Sequence, residues 1–319
     1  MEYMVVSGGK YRREKDMEIV ETLDEFLTEI QIRNYSKRTV RSYRDRLRMF
    51  ARWCESEGIE DADDIKLSTV KKYAKHMLDK GNKGSTVNGN LKVLRSYLNF
   101  CWEERFGAFD VAAVKRFPWV KAQKPHIVAF TDRQVKQMLA ACDSSFLGQR
   151  DKCLLTIAFS VGARCAEMYN IKDSDIHLDA GYMVLHGKGG RDRVANISPI
   201  LRREITRYLR IRESYFDGGF TEDWFLLSRN GRQLTNSAVE KIFLKRGELI
   251  ENRDSIRVSP HTARHYFSQS MLKQGVDVYT LQRLLGHSSI SVTEAYLSGL
   301  SDKAVLKKAR ENDVLMNLK

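Results

Sequence analysis

The sequence predicts a mainly α-helical protein in two units, with a small β-sheet in the second, which is an α+β fold class. Three observations predict this. Amphipathic helical patterns recur along most of the chain, and only 4 of its 319 residues are proline. Two short strand-like runs flank a single glycine-rich turn. The length of 319 residues is that of about two domains.

The first unit, residues 17–112, is predicted to be a bundle of four amphipathic helices, because apolar residues recur there at the spacing of one buried helix face. Ser36 is expected to cap the second helix, since a serine hydroxyl can accept a bond from a free N–H of the first turn. Ser68 and Ser85 are expected to begin the third and fourth helices. Basic residues lie on the second and fourth helices: Lys37, Arg38, Arg41, Arg44, Lys92 and Arg95. Such faces are either merely solvated or in contact with DNA, and we favour DNA contact.

Residues 113–128 are predicted to link the two units, because they contain two prolines and four basic residues without a regular period. Thr131 and Gln134 then form a T-x-x-Q pattern that is typical of a helix start. The second unit spans residues 129–301. Helical patterns in it cover 132–142, 150–161, 198–213 and 236–248.

The strand-like runs of the second unit are 182–186 and 193–197, which predict a hairpin with Lys188 at its tip. Beyond residue 301, the segment 302–319 has the apolar spacing of a further short helix. It folds back on its own domain or packs against a neighbouring protomer.

Composition narrows the possible function classes. Lys and Arg total 54 against 41 Asp and Glu, and a formal charge of +13 favours a polyanionic partner. The five cysteines are scattered without a CxxC pair, which is typical of reduced thiols in a cytoplasmic protein. No run approaches the about 18 apolar residues of a membrane helix, so no membrane partner is expected. HExxH and GxxxxGK[ST] patterns do not occur, and neither a metal nor ATP or another cofactor is expected.

A compact set of functional groups follows Ser259 and Pro260, a pair that indicates a helix start. His261, Arg264 and His265 stand at i, i+3 and i+4, so His261 shares one face with both. A helix start favours an anion, and the planar guanidinium of Arg264 matches two phosphate oxygens. The alternative is a surface salt-bridge arginine beside structural histidines.

A second arginine, Arg164, follows a glycine that is expected to end a buried apolar helix. An arginine in such a place needs a partner, and Glu167 lies three residues further on. Their pairing is either purely structural or orients a guanidinium that binds phosphate.

Lys188, His287 and Tyr296 are weak signals one at a time, because hairpin lysines are mostly solvated and helical tyrosines mostly lie in cores. Together with the arginines and His261 they provide a phenol, imidazoles and cations in one basic chain. This set suits attack on a phosphodiester without a metal.

The chain resembles the tyrosine recombinase (phage integrase) family over about residues 17–300. The resemblance lies in six residues and their order: Arg164, Lys188, His261, Arg264, His287 and Tyr296. The segment GHSSIS shortly before Tyr296 is part of the resemblance. Two positions depart from the family pattern, because Ala163 and Ala263 precede the two arginines where larger apolar residues are usual.

The resemblance implies a role for each residue. Tyr296 attacks the scissile phosphate and forms a 3′-phosphotyrosyl link, which releases a 5′-hydroxyl. Arg164 and Arg264 hold the non-bridging oxygens, and Lys188 protonates the departing oxygen. His261 assists proton transfer at the nucleophile.

Three further residues have supporting roles in the family. His287 is expected to donate a hydrogen bond to the phosphate, and Glu167 and His265 are expected to support the groups that contact it. The link conserves the energy of the phosphodiester, so rejoining needs no ATP.

The resemblance also implies an organisation. Residues 17–112 form a core-binding (SAM-like) DNA-binding domain, 129–301 the catalytic domain, and 302–319 a tail helix that is exchanged between protomers. The expected partner is double-stranded DNA with inverted-repeat core sites, bound by a homotetramer that exchanges strands through a Holliday junction. Two alternatives stay open: a monomer of the type IB topoisomerase kind, and a DNA-binding regulator whose active site is unused.

Overall fold

A computed structural model describes residues 4–5, 11–12, 18–104, 106, 116–122, 128–187, 190–217, 219, 222–286 and 293. The chain divides into two compact units, Met1–Pro125 and His126–Lys319. Helices dominate both, and a three-stranded antiparallel sheet belongs to the second. The predicted fold class is therefore confirmed.

The first unit is a helical bundle preceded by two very short strands. Its elements are β1 (Met4–Val5), β2 (Tyr11–Arg12), α1 (Ile19–Ile32), α2 (Lys37–Ser56), α3 (Leu67–Asp79) and α4 (Gly84–Glu103). The strands pair antiparallel. Four helices occur in this unit among the residues described, as the sequence predicts.

The helix starts of this unit agree with the sequence at α2 and differ by one residue at α3 and α4. The Ser36 hydroxyl accepts a bond from the N–H of Thr39 at 3.2 Å, as expected of a cap. Ser68 and Ser85 instead lie inside the first turns of α3 and α4. At α3 the capping contact runs the other way, because the Thr69 hydroxyl accepts from the N–H of Lys66 at 3.1 Å.

The bundle is held together by apolar packing with a few buried polar bonds. The hydroxyls of Thr22 on α1 and Tyr97 on α4 lie 2.6 Å apart, and both residues are fully buried. Part of the predicted linker also packs on this unit: the Asn88 side chain bonds both the N–H and the carbonyl of Val120. Phe117 belongs to the same apolar core.

The second unit contains seven described helices and the three-stranded sheet. Its elements are α5 (Asp132–Ala140), α6 (Phe146–Val161), α7 (Cys165–Tyr169), β3 (Ile176–His177), β4 (Tyr182–Leu185), β5 (Arg193–Asn196), α8 (Pro199–Phe216), α9 (Asn236–Arg246), α10 (Pro260–Lys273) and α11 (Val278–Leu285). The strands run in the order β3-β4-β5, and Met183 pairs with Ala195. The predicted hairpin is β4 and β5.

Helix α6 is the centre of this unit, and α8 and α10 pack against it. It is apolar over most of its length, so it is buried on nearly every side. Its second turn contains a buried carboxylate, Asp151, which bonds Arg150 at 2.7 Å and Arg246 of α9 at 2.7 Å. Pairing of this kind is what lets a charge lie inside a core.

The predicted helix boundaries of the second unit have the expected chemistry. Thr131 and Gln134 form the reciprocal capping box, with bonds of 3.2 and 2.9 Å. The Ser259 hydroxyl accepts from the N–H of Thr262 at 3.2 Å at the start of α10. The tail helix expected at 302–319 lies outside the described residues. None of the described helices combines the length and apolar character that crossing a bilayer requires.

Candidate active site

The first candidate residue, Arg164, lies in the connection between α6 and α7 and is paired as the sequence suggested. Its Nη1 donates to Glu167 Oε1 at 2.7 Å, and its backbone N–H donates to Glu167 Oε2 at 2.9 Å. Glu167 is 1% exposed, whereas the side chain of Arg164 is 38% exposed. The carboxylate thus fixes a guanidinium that still faces solvent.

Arg264 reaches the same place from the second turn of α10. Its Nη1 donates to the carbonyl of Gly162 at 2.6 Å, and its Nη2 donates to the carbonyl of Leu285 at 2.6 Å. It also lies 4.0 Å from Glu167 Oε2. Arg164 in turn donates to the carbonyl of Gly286 at 3.1 Å. The two predicted arginines, one hundred positions apart in sequence, therefore meet at one carboxylate and one helix end.

Two glycines in the left-handed conformation make this convergence possible. Gly162 ends α6 at φ 59° and Gly286 ends α11 at φ 62°. A β-carbon at Gly162 would overlap the ring of Phe267, and one at Gly286 would lie 3.2 Å from Cδ of Arg193. Both glycines are thus required by backbone conformation and by close packing. They turn their carbonyls toward the arginines.

The alanines that precede the arginines are also tightly enclosed. Ala163 and Ala263 are both 0% exposed. The small residues are packed into the core at these two positions, so a larger side chain would have to displace its neighbours.

Electrostatics keep Glu167 ionised. Burial by itself raises the pKa of this carboxyl, but attraction to Arg193 and hydrogen bonds from Arg193 and Arg164 outweigh burial. The pKa of Glu167 consequently lies below its ordinary value. A charged carboxylate among guanidinium groups leaves the cluster with a surplus of positive charge, which suits an anionic ligand.

His261 and His265 lie side by side on α10, with ring centroids 4.1 Å apart. Desolvation, followed by the positive charge of Arg264 and Arg257, lowers the pKa of His261. Desolvation, His261 and Arg264 lower the pKa of His265 to about 4. Both imidazoles are therefore neutral at pH 7, and a neutral His261 can accept a proton.

The turn expected to present Lys188 is held by a histidine at the point where it leaves β4. His186 Nδ1 lies 2.9 Å from Asp192 and its Nε2 lies 3.0 Å from Asp175. The hydrogen bonds to Asp175 and Asp192 raise the pKa of His186. Sequence reasoning missed this residue, although a histidine directly beside the turn glycine is a visible signal.

Three predicted catalytic residues, Lys188, His287 and Tyr296, lie outside the described residues. Gly187 and Gly286 are the described positions that precede the first two in the chain. Near Tyr296, Thr293 is described and is fully buried.

The basic residues predicted to contact DNA lie on α2 and α4 of the first unit. Lys37, Arg38, Arg41 and Lys92 are exposed, and Arg44 and Arg95 are partly exposed. The Arg95 guanidinium lies 6.0 Å from the centre of the Trp119 ring. The predicted surface is thus available to a ligand at most of its positions.

Arg193 of β5 is the main residue that sequence reasoning missed. It donates to Glu167 Oε2 at 2.8 Å and to the carbonyls of Leu284 at 2.6 Å and Val161 at 3.3 Å. The strand period carried the signal, because Arg193 shares a face with buried Ala195. An arginine on the buried face of a strand requires a partner.

His261 and His265 have the i, i+4 spacing of two metal ligands on a helix. Within the described part of the chain, no group of three or more His, Cys, Asp or Glu side chains is arranged to hold a metal ion.

Two family models match this chain. The Phage integrase family model matches residues 129–301, and the model of the Phage integrase, N-terminal SAM-like domain matches residues 23–105. The first match covers more than half of the 319 residues. The chain belongs to the phage integrase family. The resemblance drawn from the sequence motifs is thereby confirmed.

Relatives within the phage integrase family are named tyrosine recombinases. Tyrosine recombinase XerA of Thermococcus kodakarensis is 28% identical over 297 residues, which cover 93% of this chain and 96% of the relative. Tyrosine recombinase XerC of Bacillus pumilus is 27% identical over 282 residues, which cover 85% and 89%. The expected enzyme class, a tyrosine-type recombinase, is confirmed by this membership.

Solved structures of the family share the fold. A lambda integrase (75–356) dimer bound to a COC′ core site gives a TM-score of 0.69 at 16% identity and covers 90% of this chain and 97% of that chain. The XerH site-specific recombinase bound to palindromic difH substrate gives a TM-score of 0.67 at 18% identity and covers 91% and 83%.

Proposed function

We propose that this phage integrase family member is a site-specific DNA recombinase that cuts and rejoins DNA through Tyr296. The observation that carries the proposal is the meeting of Arg164 and Arg264 at Glu167 and at the end of α11. Two guanidinium groups held by a buried frame can bind both non-bridging oxygens of one phosphate.

The proposed reaction begins with attack of the Tyr296 phenolic oxygen on the scissile phosphorus. A bond forms between that oxygen and phosphorus while the bond from phosphorus to the 5′-oxygen breaks, which leaves a 3′-phosphotyrosyl link. The phenolic proton passes to neutral His261, and Lys188 supplies a proton to the departing 5′-oxygen. His287 donates to the phosphate, and His265 supports His261.

Rejoining reverses these steps with an incoming 5′-hydroxyl. When the hydroxyl comes from a second duplex, the strands are exchanged and a Holliday junction forms. We propose that a homotetramer performs this exchange on inverted-repeat core sites, with the tail 302–319 linking protomers. The palindromic substrate of the XerH complex and the dimer on the lambda integrase core site support this arrangement.

DNA binding is proposed to involve the basic faces of α2 and α4 in a core-binding domain at 17–112, with the catalytic domain at 129–301. The exposure of these basic side chains supports the proposal. The five free cysteines are consistent with action in the cytoplasm, where thiols stay reduced.

The nucleophile is tested with DNA that traps the covalent intermediate. The full-length Tyr296→Phe chain is used to enrich a binding site from a random-sequence duplex library. This selected site is then prepared with a nick at successive positions, so that a short released fragment diffuses away and the adduct accumulates. We expect the wild-type chain to form a covalent adduct visible on a denaturing gel.

Tyr296→Phe is expected to abolish the adduct and to leave the affinity for the selected site nearly unchanged, because only the attacking oxygen is removed. Tyr279→Phe is the matched control, since Tyr279 is 71% exposed on α11, and it should form the adduct normally. An adduct at wild-type yield with Tyr296→Phe would show that another residue is the nucleophile. Relaxation of supercoils without recombinant product would favour the topoisomerase alternative.

A further inference from the structure

A third guanidinium lies behind the two that are proposed to hold phosphate. Arg193 donates to Glu167 Oε2, the oxygen that also accepts from the backbone N–H of Arg164. The other oxygen, Oε1, is bonded to Arg164 Nη1. Arg193 therefore holds one side of the carboxylate whose other side holds Arg164.

The same arginine also fixes the end of α11. Three successive carbonyls there each accept from a different guanidinium: Leu284 from Arg193, Leu285 from Arg264, and Gly286 from Arg164. The last carbonyls of a helix have no partner within the helix, and cations are favoured at this negative end. The chain continues from this helix end directly into His287.

Arg193 is buried, whereas Arg164 is not. The Arg193 side chain is 7% exposed, against 38% for Arg164 and 4% for Arg264. A third bond, to the carbonyl of Val161, ties it to the end of α6 just before Arg164. All three of these bonds are to Glu167 and to backbone carbonyls at two helix ends, and through these groups Arg193 can affect the reaction.

Loss of Arg193 has a definite consequence for Glu167. The buried carboxylate would keep its charge with one guanidinium fewer, and it would be drawn toward Arg264, which already lies 4.0 Å away. The partner of Arg164 would no longer be fixed in place. The Leu284 carbonyl would lose the hydrogen bond that Arg193 donates to it. Both changes move groups that the proposed reaction needs.

We propose that Arg193 is a positioning residue of the strand-transfer site, which holds Glu167 and the end of α11 so that Arg164 faces the scissile phosphate. This inference rests on the proposed recombinase function.

The test measures the single-turnover rate of adduct formation on the nicked selected site. Arg193→Gln should slow it by about 10- to 100-fold, because small displacements of a positioned group are costly. Affinity for the selected site, measured in the Tyr296→Phe background, should change by less than about 3-fold. Arg193→Lys keeps one charge but not the fork, and should restore part of the rate.

A double-mutant cycle separates positioning from general structural damage. In an Arg164→Gln background, the further change Arg193→Gln should slow the reaction by less than about 3-fold, because the residue through which it acts is already gone. Equal slowing with and without Arg164 would contradict the proposal.

Arg212→Gln is the matched control for stability. Arg212 is a buried arginine of the same unit that bonds Asp173 at 2.8 Å and the Phe225 carbonyl at 2.9 Å. Arg212→Gln should lower the thermal unfolding midpoint about as much as Arg193→Gln does. It should not slow adduct formation at a temperature where every variant is folded.

The outcomes distinguish the two proposals. A wild-type chain that forms no adduct at any nick position overturns the recombinase function, and this inference with it. If the wild-type chain forms the adduct and Arg193→Gln forms it equally fast, the inference about Arg193 is overturned and the recombinase function is not. Loss of DNA affinity in step with loss of rate would also overturn it, because a positioning role predicts that the two separate.

Discussion

At the scale of single residues, the site is organised around one carboxylate. Glu167 is almost completely buried, and it contacts Arg164, Arg193 and Arg264 within 4.0 Å. Each arginine also bonds a backbone carbonyl, so the guanidinium planes are fixed before any ligand arrives. Pre-organisation of this kind removes a reorganisation cost when charge develops in a transition state.

The histidines of α10 give a pH prediction. The pKa of His265 is lowered to about 4 in the folded chain, whereas an unfolded histidine titrates near about 6.5. Between these values the unfolded chain binds more protons, so the free energy of unfolding falls as pH falls through this window. We expect His265 to contribute a loss of at most about 3–4 kcal/mol, at about 1.4 kcal/mol per pKa unit.

Urea unfolding of the wild-type chain and of His265→Gln at several pH values between 7 and 4.5 checks this. The variant should lose less stability on acidification, because one titrating group is gone. His186 has the opposite shift, and its contribution is lost only as pH rises through its raised pKa. Parallel curves for the two proteins would mean that His265 titrates normally in the fold.

At the scale of elements, two helices end in the same way and supply the frame of the site. Helices α6 and α11 both stop at a left-handed glycine, and each glycine carbonyl accepts from an arginine of another element. Gly162 bonds Arg264 of α10, and Gly286 bonds Arg164 before α7. The unpaired carbonyls at the helix ends thus accept hydrogen bonds from guanidinium groups that also need partners.

The packing at the end of α6 is tested by comparing the stability of Gly162→Ala with that of Gly181→Ala. Both glycines have positive φ, 59° and 73°, and alanine there costs about 1–2 kcal/mol. At Gly181 a β-carbon meets nothing within 4 Å, whereas at Gly162 it overlaps the Phe267 ring. We expect Gly162→Ala to lower the free energy of unfolding by about 1–3 kcal/mol more than Gly181→Ala does.

Denaturant unfolding of both variants gives the comparison directly. Equal losses would show that the Phe267 ring moves aside without cost. The α10 register, and with it the position of Arg264, would then tolerate a shift.

At the scale of the whole molecule, the charge of +13 is partly concentrated on α2, which has seven basic residues against two acidic ones. Phosphate contacts release counterions, so affinity for DNA should fall steeply as salt rises. Arg41→Gln should reduce the slope of log affinity against log salt by about 1, because one phosphate contact is lost.

Arg33→Gln is the control for this experiment. Arg33 is also exposed in the first unit, but it is paired with Glu29 at 2.6 Å on α1. We expect its salt slope to match that of the wild-type chain in binding titrations on the selected site. A wild-type slope near zero would exclude an extensive contact with the DNA backbone.

Several helix starts could be predicted from short sequence patterns. The capping box at Thr131 and the serine caps at Ser36 and Ser259 are short-range patterns, and the structure has them where the sequence indicated. The third and fourth helices begin one residue earlier than the sequence indicated, with Lys66 and Lys83 at their capping positions. Such boundaries depend on which of several neighbouring groups finds a partner.

The two helical units, the hairpin, the family and the pairing of Arg164 with Glu167 could be predicted, because all of these depend on spacing along the chain. That Arg264 and the end of α11 join that pair, and that Arg193 completes it, became visible only in the fold. A buried carboxylate and helix-end carbonyls without partners in their own helix select their partners by proximity in space. No periodicity encodes which distant arginine will be there.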